Sequence, residues 1–207
     1  ILRRVFGVKG KATPNMWRGD AVEAGLQFWL YNKTREDALA NAKALAVDTF
    51  WQRAAGEVSE EAEKAVEDVP SMVEQAVLAC SDRASNVMAS QFGVEHFIDD
   101  VSVPVFGKID FIFEDKSIIE LKTTTRCPSS IENASLSHRW QAALYATARN
   151  EPVMLVYVTA KKFAAYTVEP NDPVLNLMRR SAMALQTSLA KCEDGATLLR
   201  SLPLNVE

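Results

Sequence analysis

The sequence is poor in cysteine, and the three cysteines that it contains are far apart. Cys80, Cys127 and Cys192 are odd in number and do not follow the spacing of metal ligands. This pattern predicts free thiols in a reducing compartment. We therefore expect a cytoplasmic protein.

Long apolar runs are also missing. No stretch approaches the length of a membrane span, and no charged and then apolar leader opens the chain, so we expect no membrane partner. Because the first residue is Ile1, we expect the native chain to begin further upstream. No internal repeat or low-complexity tract is visible. The 207 residues, 48% of them hydrophobic, predict a single domain, 1–207, with a sizeable core.

The chain has no excess of positive charge. It contains 23 basic and 27 acidic residues, which gives a formal net charge of −4. A mildly acidic chain is not expected to coat nucleic acid by bulk charge. An enzyme with a metal-lined cleft does not need such an excess, so the composition is compatible with that class.

Residues 1–90 are predicted to be mainly helical. The first helix is expected over residues 14–31, where apolar residues recur at helical spacing. Thr34 and Asp37 resemble a capping box, which predicts a second helix ending near Gly56.

A glutamate-rich segment, residues 57–68, follows the second helix. Such a run is typical of a solvated face, and it repels anions. Pro70 is expected to break this helix, and Ser71 to begin another one that continues to about Ser90.

Residues 91–168 are predicted to form the sheet core, because short runs of β-branched and aromatic residues alternate there with turn residues. The expected elements are strands at 91–98 and 101–106, a hairpin at 107–125, a helix at 135–149, strands at 153–159 and 163–168, and a C-terminal helix within 170–200. This order predicts the α/β (α+β) class, with a central mixed β-sheet and flanking helices.

The segment Gly107–Thr125 reads GKIDFIFEDKSIIELKTTT, and its two apolar runs predict a β-hairpin around a turn at 114–117. Three ionisable residues interrupt these runs, namely Asp110, Glu120 and Lys122. In a register centred on the turn, Asp110 faces Glu120 with β-carbons roughly 5 Å apart. Lys122 lies two residues beyond Glu120 and points to the same side of the strand.

Two carboxylates at that distance repel each other unless a divalent cation neutralises both. Carboxylate oxygens suit Mg²⁺ or Mn²⁺. A lysine beside such a site can orient an attacking water or stabilise charge on a phosphate. The alternative is that the three charged groups form a structural salt bridge in a domain of helices and sheet.

These motifs resemble those of a known family. Asp110, followed by Glu120, Leu121 and Lys122, resembles the D…(D/E)-x-K core of the PD-(D/E)XK nuclease superfamily. In HRWQAALYA, Gln141 and the tyrosine four residues later resemble the Q-x-x-x-Y motif of its RecB-like exonuclease branch. The resemblance implies a restriction-endonuclease-like core.

The same branch carries its first motif on an N-terminal helix, where this chain has RGDAVEAGL with Glu23. The resemblance thus covers roughly residues 14–168 in the family order. Two departures are visible. No proline precedes Asp110, and Glu23 stands where many RecB-like members have histidine. A glutamate at this position is closer to the exonuclease of phage lambda and its relatives.

The resemblance implies a metal centre in this chain. Asp110, Glu120 and the backbone carbonyl of Leu121 would hold Mg²⁺, with Mn²⁺ as a substitute. Glu23 would complete that ligand set or help to hold a second ion. Lys122 would orient the attacking water. No iron–sulfur cluster is expected, because the three cysteines cannot supply the four that some relatives use.

The resemblance also implies contacts with DNA. Gln141 and Tyr145 would contribute to catalysis and position the strand that is cut. Arg18, in a basic arm over residues 1–19, would hold a neighbouring phosphate; a solvated arm without that role is the alternative. Thr123 and Thr124 would bond phosphate oxygens.

The expected function is a metal-dependent DNA exonuclease that acts on the ends of linear DNA. Its setting would be recombination or repair, in a bacterial cell or a phage-infected host. A homo-oligomer and a partner that anneals single strands are expected by analogy with relatives. The alternatives are an inactive domain that binds DNA ends and an endonuclease on the same fold.

Overall fold

The computed structural model describes residues 12–82, 86–102 and 104–190. Four helices come first in these ranges: α1 Pro14–Asn32, α2 Ala38–Ala54, α3 Glu60–Glu67 and α4 Val69–Cys80. The strands and later helices are β1 Val87–His96, β2 Val105–Phe113, β3 Ile118–Thr123, α5 Leu136–Arg149, β4 Val153–Val158, β5 Phe163–Val168 and α6 Val174–Ala190. Most of the predicted basic arm, and the predicted end of the C-terminal helix beyond residue 190, lie outside the described residues.

The five strands form one mixed sheet in the order β1-β2-β3-β4-β5. Neighbouring strands are antiparallel except β3 and β4, which are parallel. Parallel neighbours need a long crossover, and α5 supplies it. The predicted α/β (α+β) class, with a mixed sheet and flanking helices, is confirmed.

Helices cover both faces of this sheet. The first four helices pack on one face, around buried side chains such as Leu26, Phe50 and Phe111. The last two pack on the other face, around side chains such as Leu144 and Leu155. Apolar side chains on both faces of the central strands explain why the hairpin reads as two nearly continuous apolar runs. No helix in the described part of the chain has both the length and the apolar character needed to cross a membrane.

The start of α2 differs from the predicted capping box. The helix begins at Ala38, four residues after Thr34, and the side chain of Asp37 does not cap it. Both carboxylate oxygens of Asp37 instead accept hydrogen bonds from the Arg35 guanidinium, at 3.0 and 3.1 Å. The Asp37 carboxylate, which the capping box required, is therefore engaged in a local ion pair with Arg35.

The boundary between the helical part and the sheet was also predicted wrongly. The predicted break between two helices near Pro70 is present, since α3 ends at Glu67 and α4 begins at Val69; Pro70 lies in the first turn of α4, where its missing N–H needs no partner. This helix ends at Cys80 and not near Ser90. The residues from Val87 to Ser90 belong to β1, because they pair with β2. Sheet pairing, which is not visible in a local window, decides their conformation.

The two cysteines within the described residues are buried and form no disulfide bond, as predicted. They are Cys80 and Cys127. Burial raises the pKa of the Cys127 thiol, which favours its unreactive protonated form. Cys192 lies outside the described residues.

Candidate active site

Strands β2 and β3 stop pairing beside the predicted acidic residues. Their backbone pairs are Phe111↔Ile119 and Ile112↔Ile118, which is the register predicted from the turn. At the next position the backbone N–H of Leu121 donates to Asp110 Oδ2 at 2.8 Å. A side-chain oxygen thus replaces the backbone acceptor. The carboxylate of Asp110 is therefore held between the two strands.

Glu120 and Lys122 point to the face of the sheet that α5 covers, because alternate residues of a strand share a face. The Lys122 ammonium donates to Glu120 Oε1 at 2.5 Å. Glu120 is fully buried, and its second oxygen, Oε2, has no hydrogen-bond partner. A buried carboxylate oxygen without a partner is costly. It can be satisfied by a cation or by a ligand that enters the site.

Burial makes the ionised forms of these two carboxylates unfavourable. Burial, and then the charge of Asp110, raise the pKa of Glu120 to about 8, although Lys122 opposes the shift. Burial also raises the pKa of Asp110, against the opposing effects of Lys122 and the Leu121 N–H. Such raised values are typical of carboxylates at functional sites.

Helix α1 brings a third carboxylate to the same region. Glu23 belongs to this helix, and burial followed by the charge of Asp110 raises its pKa to about 7. Gln91, on β1, donates from Nε2 to Glu23 Oε1 and also to Asp110 Oδ1, the latter at 3.2 Å. The structure therefore brings together Glu23, Asp110, Glu120 and Lys122.

These residues line a cleft of about 1250 Å³ between α1 and α5. Five carboxylate side chains and two lysines line it, namely Asp20, Glu23, Glu95, Asp110 and Glu120, with Lys108 and Lys122. The described lining is thus net acidic. A phosphate would be repelled from it unless cations were also bound.

The other wall of the cleft is α5, which carries the predicted Q-x-x-x-Y pair. Gln141 Nε2 donates to the Tyr145 hydroxyl oxygen at 2.9 Å, and the Lys108 backbone N–H donates to the same oxygen at 3.0 Å. Tyr145 is 2% exposed. In this structure the tyrosine joins α5 to β2, and Gln141 is the more accessible of the two.

The three predicted phosphate-binding residues have different positions. Thr123 lines the cleft. Thr124 lies in the loop after β3, where its hydroxyl donates to the Arg126 carbonyl at 3.1 Å, and it lines a smaller neighbouring pocket. Arg18 is 6% exposed and is not among the residues that line the cleft. Burial lowers the pKa of Arg18, and the charge of Asp68 opposes this shift.

The sequence reasoning missed Gln91 as a site residue. The register from Ser90↔Phe111 to Phe92↔Ile109 places Gln91 level with Asp110. Only this pairing of β1 with β2 shows that the amide reaches a carboxylate, since Gln91 precedes Asp110 by many residues and belongs to no motif. His138, three residues before Gln141 on α5, also lines the cleft.

The implied metal would need oxygen ligands from the side chains around Asp110 and Glu120. In the ranges 12–82, 86–102 and 104–190, no three His, Cys, Asp or Glu side chains converge closely enough to hold an ion by themselves. Two observations nevertheless fit a divalent cation. Glu120 Oε2 is a buried oxygen without a partner, and neighbouring carboxylates have raised pKa values that a cation would lower. The backbone carbonyl of Leu121, next to Glu120, can add a further oxygen ligand.

The comparison with protein families shows to which family this chain belongs. The family model described as the PD-(D/E)XK nuclease superfamily matches residues 1–196. The chain belongs to this superfamily. Asp110, Glu120 and Lys122 match its D…(D/E)-x-K pattern, and the match does not specify a branch within the PD-(D/E)XK nucleases.

One solved structure supports the same fold for this PD-(D/E)XK protein. It is similar to a protein from Eubacterium rectale described as "Putative exonuclease", with 11% identity, a TM-score of 0.55, and coverage of 98% of this chain and 74% of the other. A structure named SSO0001 aligns with 17% identity and a TM-score of 0.42, over 88% and 81% of the two chains. A search of curated proteins finds no match.

Proposed function

We propose that this PD-(D/E)XK protein is a Mg²⁺-dependent deoxyribonuclease that removes nucleotides from the ends of linear DNA, in recombination or repair. The observation that carries the proposal is the convergence of two buried carboxylates, Asp110 and Glu120, with the partly exposed Lys122 in an acidic cleft. A structural salt bridge would need one carboxylate for one lysine. Here a second carboxylate adds repulsion, and Glu120 Oε2 has no partner.

The metal would be held by Asp110, Glu120 and the Leu121 carbonyl, with Glu23 as an additional ligand. A bound Mg²⁺ would offset the negative charge of the scissile phosphate and lower the pKa of a bound water. The repulsion between Asp110 and Glu120 would be relieved at the same time. A net acidic cleft would then become able to accept a phosphate.

Lys122 would be the group that orients the attacking water. Its ammonium is fixed by Glu120 Oε1 at 2.5 Å, and its side chain remains 19% exposed toward the cleft. A partly exposed ammonium can contact a water and a phosphate oxygen together, and stabilise the charge that develops during attack. Gln141, which lines the opposite wall of the cleft, would contact the strand that is cut.

The choice of an exonuclease rests on α5. Its Gln141 and Tyr145 line the cleft, and they resemble the Q-x-x-x-Y motif of the exonuclease branch. The protein named "Putative exonuclease" has the same fold, which agrees with this choice but does not determine it. Partners in recombination, including a protein that anneals single strands, belong to the same proposal.

The decisive experiment uses linear duplex DNA labelled separately at the 5′ and 3′ ends, with closed circular DNA of the same sequence as control. With Mg²⁺ or Mn²⁺, we expect loss of label from one end and an intact circle. Asp110→Asn should abolish the reaction. Cleavage of the circle would identify an endonuclease. Binding of linear DNA without cleavage, under every divalent cation tested, would identify an inactive end-binding domain.

A further inference from the structure

Gln91 has an unusual backbone conformation for a residue within a strand. Its φ is 50°, in the left-handed region, although it lies in the interior of β1. A residue other than glycine is rarely found there, and the conformation has a free-energy cost that the surrounding contacts must offset. The hydrogen bonds of the Gln91 side chain are the contacts that can offset this cost.

The side-chain amide of Gln91 joins two of the acidic residues. Its nitrogen donates to Glu23 Oε1 on α1 and to Asp110 Oδ1 on β2. An amide nitrogen carries two hydrogens, so it can serve both carboxylates at once. The contacts therefore link three elements at the place where the charges of Glu23 and Asp110 repel each other.

We propose that Gln91 is a positioning residue that holds Glu23 and Asp110 together in the cation-free protein and thereby sets the affinity for the divalent cation. This inference rests on the proposed function, because that function assigns a cation to these carboxylates. The amide adds no charge, so it restrains the two carboxylates without neutralising them. When the two carboxylates are already held in place, cation binding loses less side-chain conformational entropy and has less carboxylate repulsion to overcome.

The chain offers a matched control for this arrangement. Another glutamine already links α1 to β1 nearby, since Gln27 Nε2 donates to Ser90 Oγ at 2.7 Å. That hydrogen bond involves no carboxylate, and neither Gln27 nor Ser90 is among the residues that line the cleft. Gln27 therefore provides a matched control, in which the same type of side chain joins the same two elements away from the acidic group.

The test measures binding of Mg²⁺ and Mn²⁺ to the DNA-free protein by titration calorimetry. Gln91→Met keeps the length of the side chain but removes the amide. Gln91→Gly removes the amide and favours the left-handed backbone, so it separates the side chain from backbone strain. We expect both variants to bind the cations about tenfold more weakly, in the range seen when groups that orient metal ligands are lost. Gln27→Met should bind like the wild type.

A second readout is the Mg²⁺ concentration at half-maximal DNA cleavage. It should rise in Gln91→Met and Gln91→Gly by about the same factor as the calorimetric dissociation constant, and stay unchanged in Gln27→Met. Urea unfolding without metal checks that the variants are folded. If Gln91→Met does not fold, the glycine variant alone decides.

Unchanged or tighter cation binding in the folded Gln91 variants would overturn the inference, because the amide would then have no role or would compete with the cation. In that case cleavage by the wild type would leave the proposed function standing. A wild-type protein that binds no divalent cation and cuts no DNA would overturn both.

Discussion

The ring of Tyr145 occupies the space that a side chain at Gly107 would need. A Cβ on residue 107 would lie 2.4 Å from Tyr145 Cε1 and 2.7 Å from its hydroxyl oxygen. The same oxygen accepts the Lys108 backbone N–H at 3.0 Å. This contact fixes α5 against β2 close to Asp110. The cleft wall formed by α5 and the strand that carries Asp110 are therefore positioned together.

Gly107→Ala is expected to destabilise the protein by about 1–3 kcal/mol, which is typical of overpacking at a close contact. Urea unfolding measures this change in the free energy of unfolding. Gly93→Ala is the matched control, since Gly93 lies in the neighbouring strand and lines the same cleft, but an added Cβ there meets nothing within 4 Å. Its stability should remain near that of the wild type.

A double-mutant cycle isolates the contact itself. In a Tyr145→Ala background the space beside residue 107 is empty, so adding Gly107→Ala should no longer destabilise the protein. An equal loss of stability in both backgrounds would contradict the close contact as its cause.

Lys122→Ala is expected to lower Mg²⁺-dependent cleavage of linear DNA by roughly 10²–10⁴-fold, the usual contribution of a group that acts in proton transfer. The measurement is the initial rate with an end-labelled duplex. Lys161→Ala, at an exposed turn position outside the cleft, is the control. Near-normal cleavage by the Lys122 variant would refute the role assigned to this residue.

The stability of the metal-free protein is expected to fall as pH rises from about 4.5 to about 8. The pKa of Glu120 is raised from 4.5 to about 8, and that of Glu23 to about 7. In this window the unfolded chain has lost these protons while the folded protein still holds them, so the stabilisation present at low pH is lost. Urea midpoints from pH 5 to 9 in EDTA measure the effect.

Glu120→Gln removes one of the titrating groups, so its stability should depend less steeply on pH. Mg²⁺ should stabilise the wild type more at pH 8 than at pH 6, because the cation binds the ionised carboxylates. A stability that rises with pH over this window would show that the carboxylates are ionised in the folded, metal-free protein.

Gly25→Ala is expected to destabilise the fold by about 1–3 kcal/mol. A Cβ there would lie 2.9 Å from both the Ala42 carbonyl oxygen and Val73 Cγ2. Gly25 thus allows α1 to pack closely on α2 and α4, which positions Glu23. In the control, Gly19→Ala, the new Cβ lies 3.6 Å from Thr123 Oγ1, an ordinary contact, and helix propensity favours alanine. Thermal unfolding should distinguish the two variants.

The central hairpin was predictable because its information is local. The turn and the alternation on either side of it specify the register seen at Phe111↔Ile119, and this register implies that Asp110 lies level with Glu120. The first helix was predictable for a similar reason, since Pro14 lies in its first turn and its buried residues recur at helical spacing. The end of α4 was not predictable, because pairing with β2 converts the following residues into a strand.

The candidate site residues also divide into those predictable from local motifs and those whose position depends on tertiary packing. The family motifs identified Asp110, Glu120 and Lys122, and the structure places all three in one cleft. Arg18 was assigned to DNA from its place in a basic segment, yet the side chain is buried, because which face of α1 packs on the core depends on the other helices. Gln91 was missed because its partners lie on two other elements.

The sequence by itself determined the PD-(D/E)XK superfamily, the mixed sheet with its flanking helices, and the three charged residues on the hairpin. These features depend on residue type and short-range spacing, which a linear chain displays directly. Only the tertiary structure decided that Tyr145 joins α5 to β2, that Gln91 links Glu23 to Asp110, and that one oxygen of Glu120 is buried without a partner. Those features depend on burial and on contacts between elements distant in sequence, and they arise only when the helices close over the sheet.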